Sequence, residues 1–152
     1  DLGIFTCYDL RDQKQMEYKE IGGFTSLFAT IANEEQAKAM RDYLEKLHKD
    51  DYYLCPSFDP YNPLFDSKSY WLGPIWPQMN WMIYHGLKAY GFEKTAETVK
   101  KDLIELVSKL GFYEYFESQK AIVPNLKKGY GGNHFSWTAA CTVDLLKISD
   151  NI

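Results

Sequence analysis

The segment Tyr70–Trp81, YWLGPIWPQMNW, decides how the rest of the chain is read. It places three of the four tryptophans within eleven positions, together with two prolines, a glycine and an asparagine. A plain core segment would carry leucine, valine and isoleucine at helical spacing. This one combines flat rings, backbone punctuation and side-chain amides. Pro77 suits the first turn of a helix, where its missing N–H does no harm. The pattern therefore predicts a loop over 70–76 that feeds a helix from Pro77. Two readings of the rings stand side by side. Large aromatics mostly pack, which gives a buried cluster between helices. Aromatic faces on a loop can also stack on the C–H face of a sugar ring, with Gln78 and Asn80 placed to bond its hydroxyls.

Outward from this stretch, 152 residues amount to one domain. A net charge of −4 leaves no basic patch, so nucleic acid is not an expected partner. No apolar run approaches the roughly 20 residues of a membrane span, and no signal-peptide pattern opens the chain. No membrane partner is expected. The sequence begins at Asp1 without a methionine, and a processed chain or a piece of a longer one is the expectation. Cys7, Cys55 and Cys141 are odd in number and far apart, without a CxxC pair. That argues against a disulfide framework or a zinc site and suits a reducing compartment, so a cytoplasmic location, no metal and no cofactor are expected. Aromatic residues reach 16%, with twelve tyrosines, the one compositional pointer toward carbohydrate.

Residues 4–20 read as an extended hairpin or irregular arm. The glycine pair in Ile21-Gly22-Gly23-Phe24 is a backbone break, for a turn or for close approach of a ligand, and a short helix follows it to about Ala32. Asn33 and Gln36 stand in capping-box spacing before a helix whose Ala37, Met40, Leu44 and Leu47 form one stripe. The run CPSFDPYNPLFDSKS over 55–69 lies in a long turn-rich loop. Two helices, from Pro77 and over 94–110, end at Gly91 and Gly111 and are joined by a short link, which makes them an antiparallel hairpin. After GFYEYFES comes the polar loop KKGYGGNHFSW. A last helix starts near Ser136 with Trp137, Cys141, Leu145 and Ile148 on its stripe. The expected class is all-α, built from helical hairpins with long aromatic loops and no confident sheet. Five helices gathered with their loops at one end suggest an unclosed ring. Its stripes on 34–48 and 94–110 would be left open to a partner chain or to aggregation.

Four motifs in this order, EIGGFTSLFATIA, YWLGPIWPQMNWMIYHGL, GFYEYF and GGNHFSWTAACTVDLL, resemble the C-terminal part of glycoside hydrolase family 63. The likeness is strongest to its mannosylglycerate hydrolase-type members, and trehalases share a weaker version. The resemblance implies part of an (α/α)6 toroid, with 1–152 as the C-terminal portion of a single catalytic domain. It implies metal-free inverting hydrolysis of an α-glycosidic bond in a small α-glycoside such as mannosylglycerate or glucosylglycerate. The N-terminal remainder of the same domain is the implied partner. Trehalose or an α-glucan oligosaccharide is the alternative substrate, and a fragment that only binds sugar or a partner chain is the alternative class.

Inversion needs a general acid and a carboxylate base about 6.5–9.5 Å apart. The resemblance makes Glu114 the base, with Glu117 as a competitor that the motif disfavours. It puts the acid upstream of residue 1, Asp59 and Asp66 being weak local substitutes in turn contexts. Tyr70, Trp71, Trp76 and Gln78 would line the sugar and aglycone subsites, Trp137 would close the pocket, and His134 in the glycine-rich loop could touch substrate. Trp81 is expected to turn inward and pack, and His48 and His85 to be surface or packing residues. Leu72 stands where many relatives carry arginine. Lys127 and Lys128 are read as a solvated loop that could alternatively meet a carboxylate.

Overall fold

The structure, a computed structural model, describes residues 3–120 and 129–147. The arm is a hairpin, with strands β1 (Tyr8–Asp9) and β2 (Lys14–Gln15) paired antiparallel. Helix α1 (Ile21–Phe24) starts earlier than the sequence suggests and contains both glycines, with Glu20 accepting from Gly22 N–H at its head. What Gly23 makes room for is the chain's own arm, since a Cβ there would lie 2.0 Å from the Phe5 carbonyl oxygen.

Helix α2 (Glu34–Lys49) begins at the predicted capping box. Asn33 Oδ1 accepts from Gln36 N–H at 2.9 Å, and Gln36 Oε1 accepts from Asn33 N–H at 3.0 Å. Helices α3 (Pro77–Ala89) and α4 (Glu93–Leu110) form the predicted hairpin and are the most extensively packed pair. Gly91 and Gly111 take positive φ at their ends. Helix α4 also touches α2 and α5 (Ser136–Lys147), which makes it the hub of the bundle.

The apolar stripes meet in one core: Ala37, Met40, Leu44 and Leu47 from α2, Ile83 and Leu87 from α3, and Val99, Leu103 and Leu106 from α4. Each large aliphatic side chain buried there contributes about 2 kcal/mol. The stripes on α2 and α4 are therefore covered, which corrects the expectation that they lie open to a partner or to aggregation. Among the described residues, α5 leaves apolar side chains open, with Trp137, Val143 and Leu146 exposed. Ile148, Lys127 and Lys128 lie outside the described residues.

Three irregular stretches pack as a thin layer that sets up the aromatic loops. Ile75 and Phe116 exchange two backbone hydrogen bonds, of 2.8 and 2.9 Å. Ser57 N–H donates to Pro74 O at 2.9 Å, and Tyr53 N–H to Ser118 O at 2.8 Å. Strand β3 (Tyr115–Phe116) pairs antiparallel with β4 (Gly129–Tyr130) beside them. Two-residue strands carry too little alternation to show a period in sequence, so this sheet is a structural finding.

Under the layer, Asp102 of α4 is 3% exposed and accepts from Lys120 Nζ at 2.6 Å and Leu54 N–H at 2.9 Å. Lys120 Nζ also reaches His48 Nδ1 at 3.3 Å. Burial pushes the Asp102 carboxyl above the usual carboxylate range, and Lys120 opposes that rise. Between α3 and α5, Asp144 Oδ2 accepts from Trp81 Nε1 at 2.7 Å and lies 3.3 Å from His85 Nε2, so Trp81 packs as expected and His85 links two helices. The Trp81 bond, then His85, holds the Asp144 carboxyl below its ordinary value.

A buried charge stripped of its partner costs about 3–5 kcal/mol. Lys120→Met is expected to lower unfolding free energy in urea by about 3 kcal/mol, the lower end of that range. Asp102→Asn in the same background should recover much of it, because the amide oxygen still accepts from Leu54 N–H. An unchanged midpoint in the single variant would show that the pair does not hold the layer. Asp144 supplies a pH dependence. A depressed acid stabilises the fold above its unfolded pKa and loses that contribution as pH falls through the folded value. Asp144→Asn should therefore melt earlier than the parent at neutral pH and match it in acid well below 3.8. An equal deficit at both pH values would contradict this.

Candidate active site

The backbone exchange between Ile75 and Phe116 sets the next residue of one stretch, Trp76, beside the preceding residue of the other, Tyr115. From that contact a column of rings builds outward. Trp71 lies flat on Trp76, with centroids 4.1 Å apart and planes at 4°. Tyr115 stacks on Trp76 at 4.9 Å, and Tyr130 on Tyr115 at 5.8 Å. Tyr70 stands edge-on to Trp76 at 5.0 Å, and its carbonyl oxygen accepts from Trp76 Nε1 at 2.9 Å. Trp137 closes from the head of α5, edge-on to Trp76 at 6.3 Å and against Phe135 at 4.6 Å. Aromatic pairs of this geometry contribute about 0.5–1.5 kcal/mol beyond area burial.

Glu114 enters from the residue before Tyr115. The glycine loop holds it: Glu114 N–H donates to Gly132 O at 3.0 Å, and Glu114 Oε2 accepts from Gly132 N–H at 3.2 Å. Gly131 has φ of +71°, and a Cβ there would meet Glu114 Oε2 at 2.2 Å. Gly129 presses equally close on the Tyr113 ring, 2.1 Å from a Cβ to its nearest ring atom. The loop GYGGN is thus a cradle for the Glu114 strand. A carboxylate with one backbone donor, half-buried beside a wall of rings, can accept a proton from a water or hydroxyl in front of it.

The structure brings Tyr70, Trp71 and Trp137 together around Trp76, which stacks on Tyr115, the residue that follows Glu114. Trp76 departs from its expected part. It is 1% exposed because Trp71 and Tyr115 take both faces of its ring, so it backs the wall, and the open face belongs to Trp71, 43% exposed. Asn80 is a correction. It is fully buried, its Nδ2 donates to Cys55 O and Trp76 O, and its Oδ1 accepts from Cys55 N–H, so it ties down the loop and meets no hydroxyl. Gln78 sits in the first turn of α3 with a buried Oε1 that has no hydrogen-bond partner among the described residues. His134 is exposed, with φ of +55°, and no ring contact joins it to the column among the described residues. Asp59 is engaged by Tyr43, Lys19 and Tyr61 N–H, and Asp66 is exposed with Oδ1 accepting from Lys68 N–H. Glu117, which follows Phe116, is buried, and its Oε1 has no hydrogen-bond partner among the described residues. Tyr115 and Tyr130 are the members that sequence reasoning missed. Their signal was the register implied by tyrosines set beside Glu114 and beside the glycine loop.

Two of the five non-glycine residues with positive φ among the described residues, Tyr70 and His134, flank this site. Backbone held in that region costs about 1–2 kcal/mol per residue and persists only when its surroundings impose it. Gly131→Ala adds such strain together with a collision against Glu114. It is expected to lower stability in urea by about 2 kcal/mol or more. An unchanged midpoint would show that the cradle does not constrain the loop.

The mannosylglycerate hydrolase MGH1-like glycoside hydrolase domain matches residues 1–138. The chain is 38% identical over 148 residues to the mannosylglycerate hydrolase MGH1 of Selaginella moellendorffii, covering 97% of this chain and 29% of that protein. It is 26% identical to the glucosylglycerate hydrolase of Mycolicibacterium hassiacum, covering 95% and 32%. The solved GH63 mannosylglycerate hydrolase from Thermus thermophilus, in complex with Tris and D-glycerate, superposes with a TM-score of 0.86 at 32% identity, over 95% of this chain and 33% of that one. The chain thus spans about a third of the length of the relatives it matches. GH63 enzymes have an (α/α)6 toroid fold, and the five helices of the described residues are part of one. The chain belongs to the mannosylglycerate hydrolase MGH1-like family of GH63 glycoside hydrolases.

Proposed function

We propose that this chain supplies the base side of an inverting α-glycosidase acting on a small glycerate glycoside. In this reading it is the C-terminal portion of a single toroidal catalytic domain. The observation that carries the reading is Glu114, held by the Gly132 N–H next to the ring that stacks on Trp76. The names of the relatives, mannosylglycerate and glucosylglycerate hydrolases, support the substrate class.

The proposed chemistry follows from that placement. The sugar lies with its C–H face on the open indole of Trp71, edged by Tyr70 and Trp137. Gln78 lines the subsite from the first turn of α3, and His134 stands at the rim. Glu114 takes a proton from a water as that water attacks the anomeric carbon from the face opposite the leaving glycerate. An acid from chain upstream of Asp1 protonates the departing oxygen, and the two carboxyls stand about 6.5–9.5 Å apart to leave room for the water. Trehalose and short α-glucans are the competing substrates on the same fold.

A proton NMR time course on the protein carrying this chain, with α-mannosylglycerate and α-glucosylglycerate as substrates, tests the reading. The first sugar anomer released should be β. Glu114→Gln should lower kcat by about 10²–10⁴-fold with KM little changed. Release of the α-anomer first, or near-parental kcat in that variant, would overturn the assignment.

A further inference from the structure

We infer that Thr138 is a positioning residue for Glu114, its hydroxyl clamping the peptide unit that carries the base. The inference rests on the reading of Glu114 given above.

The peptide joining Tyr113 to Glu114 is held at both of its polar atoms. Its carbonyl oxygen accepts from Thr138 Oγ1 at 2.6 Å, and its N–H donates to Gly132 O at 3.0 Å. With both ends of the plane bonded, the peptide cannot rotate about its neighbouring torsions without breaking one of them. The direction of the Glu114 Cα–Cβ bond is thereby set. One step earlier, Phe112 O accepts from Phe135 N–H at 2.8 Å, so the head of α5 and the Glu114 strand are stitched at successive carbonyls.

Thr138 differs from Thr142 and Thr98 and, like Thr95, whose hydroxyl donates to Glu45 Oε1 of α2 at 2.8 Å, directs its hydroxyl to another element. A threonine inside a helix ordinarily turns its hydroxyl back to the carbonyl four residues earlier. Thr142 does so, to Thr138 O at 2.7 Å, and Thr98 does so, to Lys94 O at 3.1 Å. Thr138 reaches across to another element instead. It is fully buried, so no water can stand in for its hydroxyl, and loss of that donor leaves the Tyr113 carbonyl unpaired. The helix that ends the described chain thus sets the base by one hydroxyl, while Trp137, one residue earlier, faces the ring column.

The test compares Thr138→Val, which keeps the shape and removes the donor, with Thr138→Ser, which keeps the donor, using α-mannosylglycerate as the probe. A displacement of about 1 Å at a reacting group costs on the order of 10²-fold in rate. Thr138→Val should lose up to that factor in kcat with KM near the parental value, because the rings that bind the sugar are untouched. Thr138→Ser should restore kcat. Should Thr138→Val not fold, Thr138→Cys, a weak donor of similar size, carries the same comparison. Parental kcat in a folded Thr138→Val, equal losses in Val and Ser, or failure of both Val and Cys to fold would each overturn the positioning role. If Glu114→Gln is active, the base assignment has failed. If Glu114→Gln is inactive while Thr138→Val is not, only the positioning inference has failed.

Discussion

Two backbone hydrogen bonds between Ile75 and Phe116 hold this site together. They join a loop rich in tryptophan to a stretch rich in tyrosine, segments some forty positions apart with no helix in common. Everything aromatic follows from that register, because shifting it by one residue would turn Tyr115 and Phe116 to opposite faces. Phe116 would then leave the core, and Tyr115 would leave Trp76. The helices contribute the rigidity. Helix α4 gathers α2, α3 and α5 and, through Asp102 and Lys120, anchors the far end of the same stretch. The near end is anchored by α5. Glu114 thus sits beside the α5 anchor in a stretch fastened at both ends, which is how a residue outside regular helix acquires a fixed place.

The local signals in the sequence translated directly into structure. The Asn33–Gln36 box, Pro77 at the head of α3 and the glycines at 91 and 111 each satisfy or end a helix by chemistry confined to a few neighbouring residues. Spacing alone was enough for the hairpin of α3 and α4. What escaped was everything made between distant segments. Asn80 looks the same in sequence whether its amide meets a hydroxyl or the backbone of Cys55. The stripes of α2 and α4 looked unpartnered because nothing local reveals that they face one another. Trp76 was identified as part of the wall, but which face of a stack remains open is decided only once Trp71 and Tyr115 have settled on it.

The glycines illustrate the same division. Gly22 and Gly23 read as a turn or as room for a ligand, and Gly23 is in fact room for Phe5 of the arm. Gly129 and Gly131 read as part of a polar, glycine-rich loop, and each is a place where Tyr113 or Glu114 presses against bare backbone. Close approach of the chain to itself, which composition does not reveal, is what these glycines allow.

The placement of the tryptophans affects how the molecule reports on itself. Trp71, Trp76 and Trp137 all lie in or against one ring column, and Trp81 alone sits between helices, its indole bonded to a carboxylate. Intrinsic fluorescence therefore follows mainly the wall, whereas far-ultraviolet dichroism follows the bundle. If the wall opens before the helices melt, the two signals will separate along a denaturation curve. Such a gap would mark local loosening of the binding face in a bundle that is still folded.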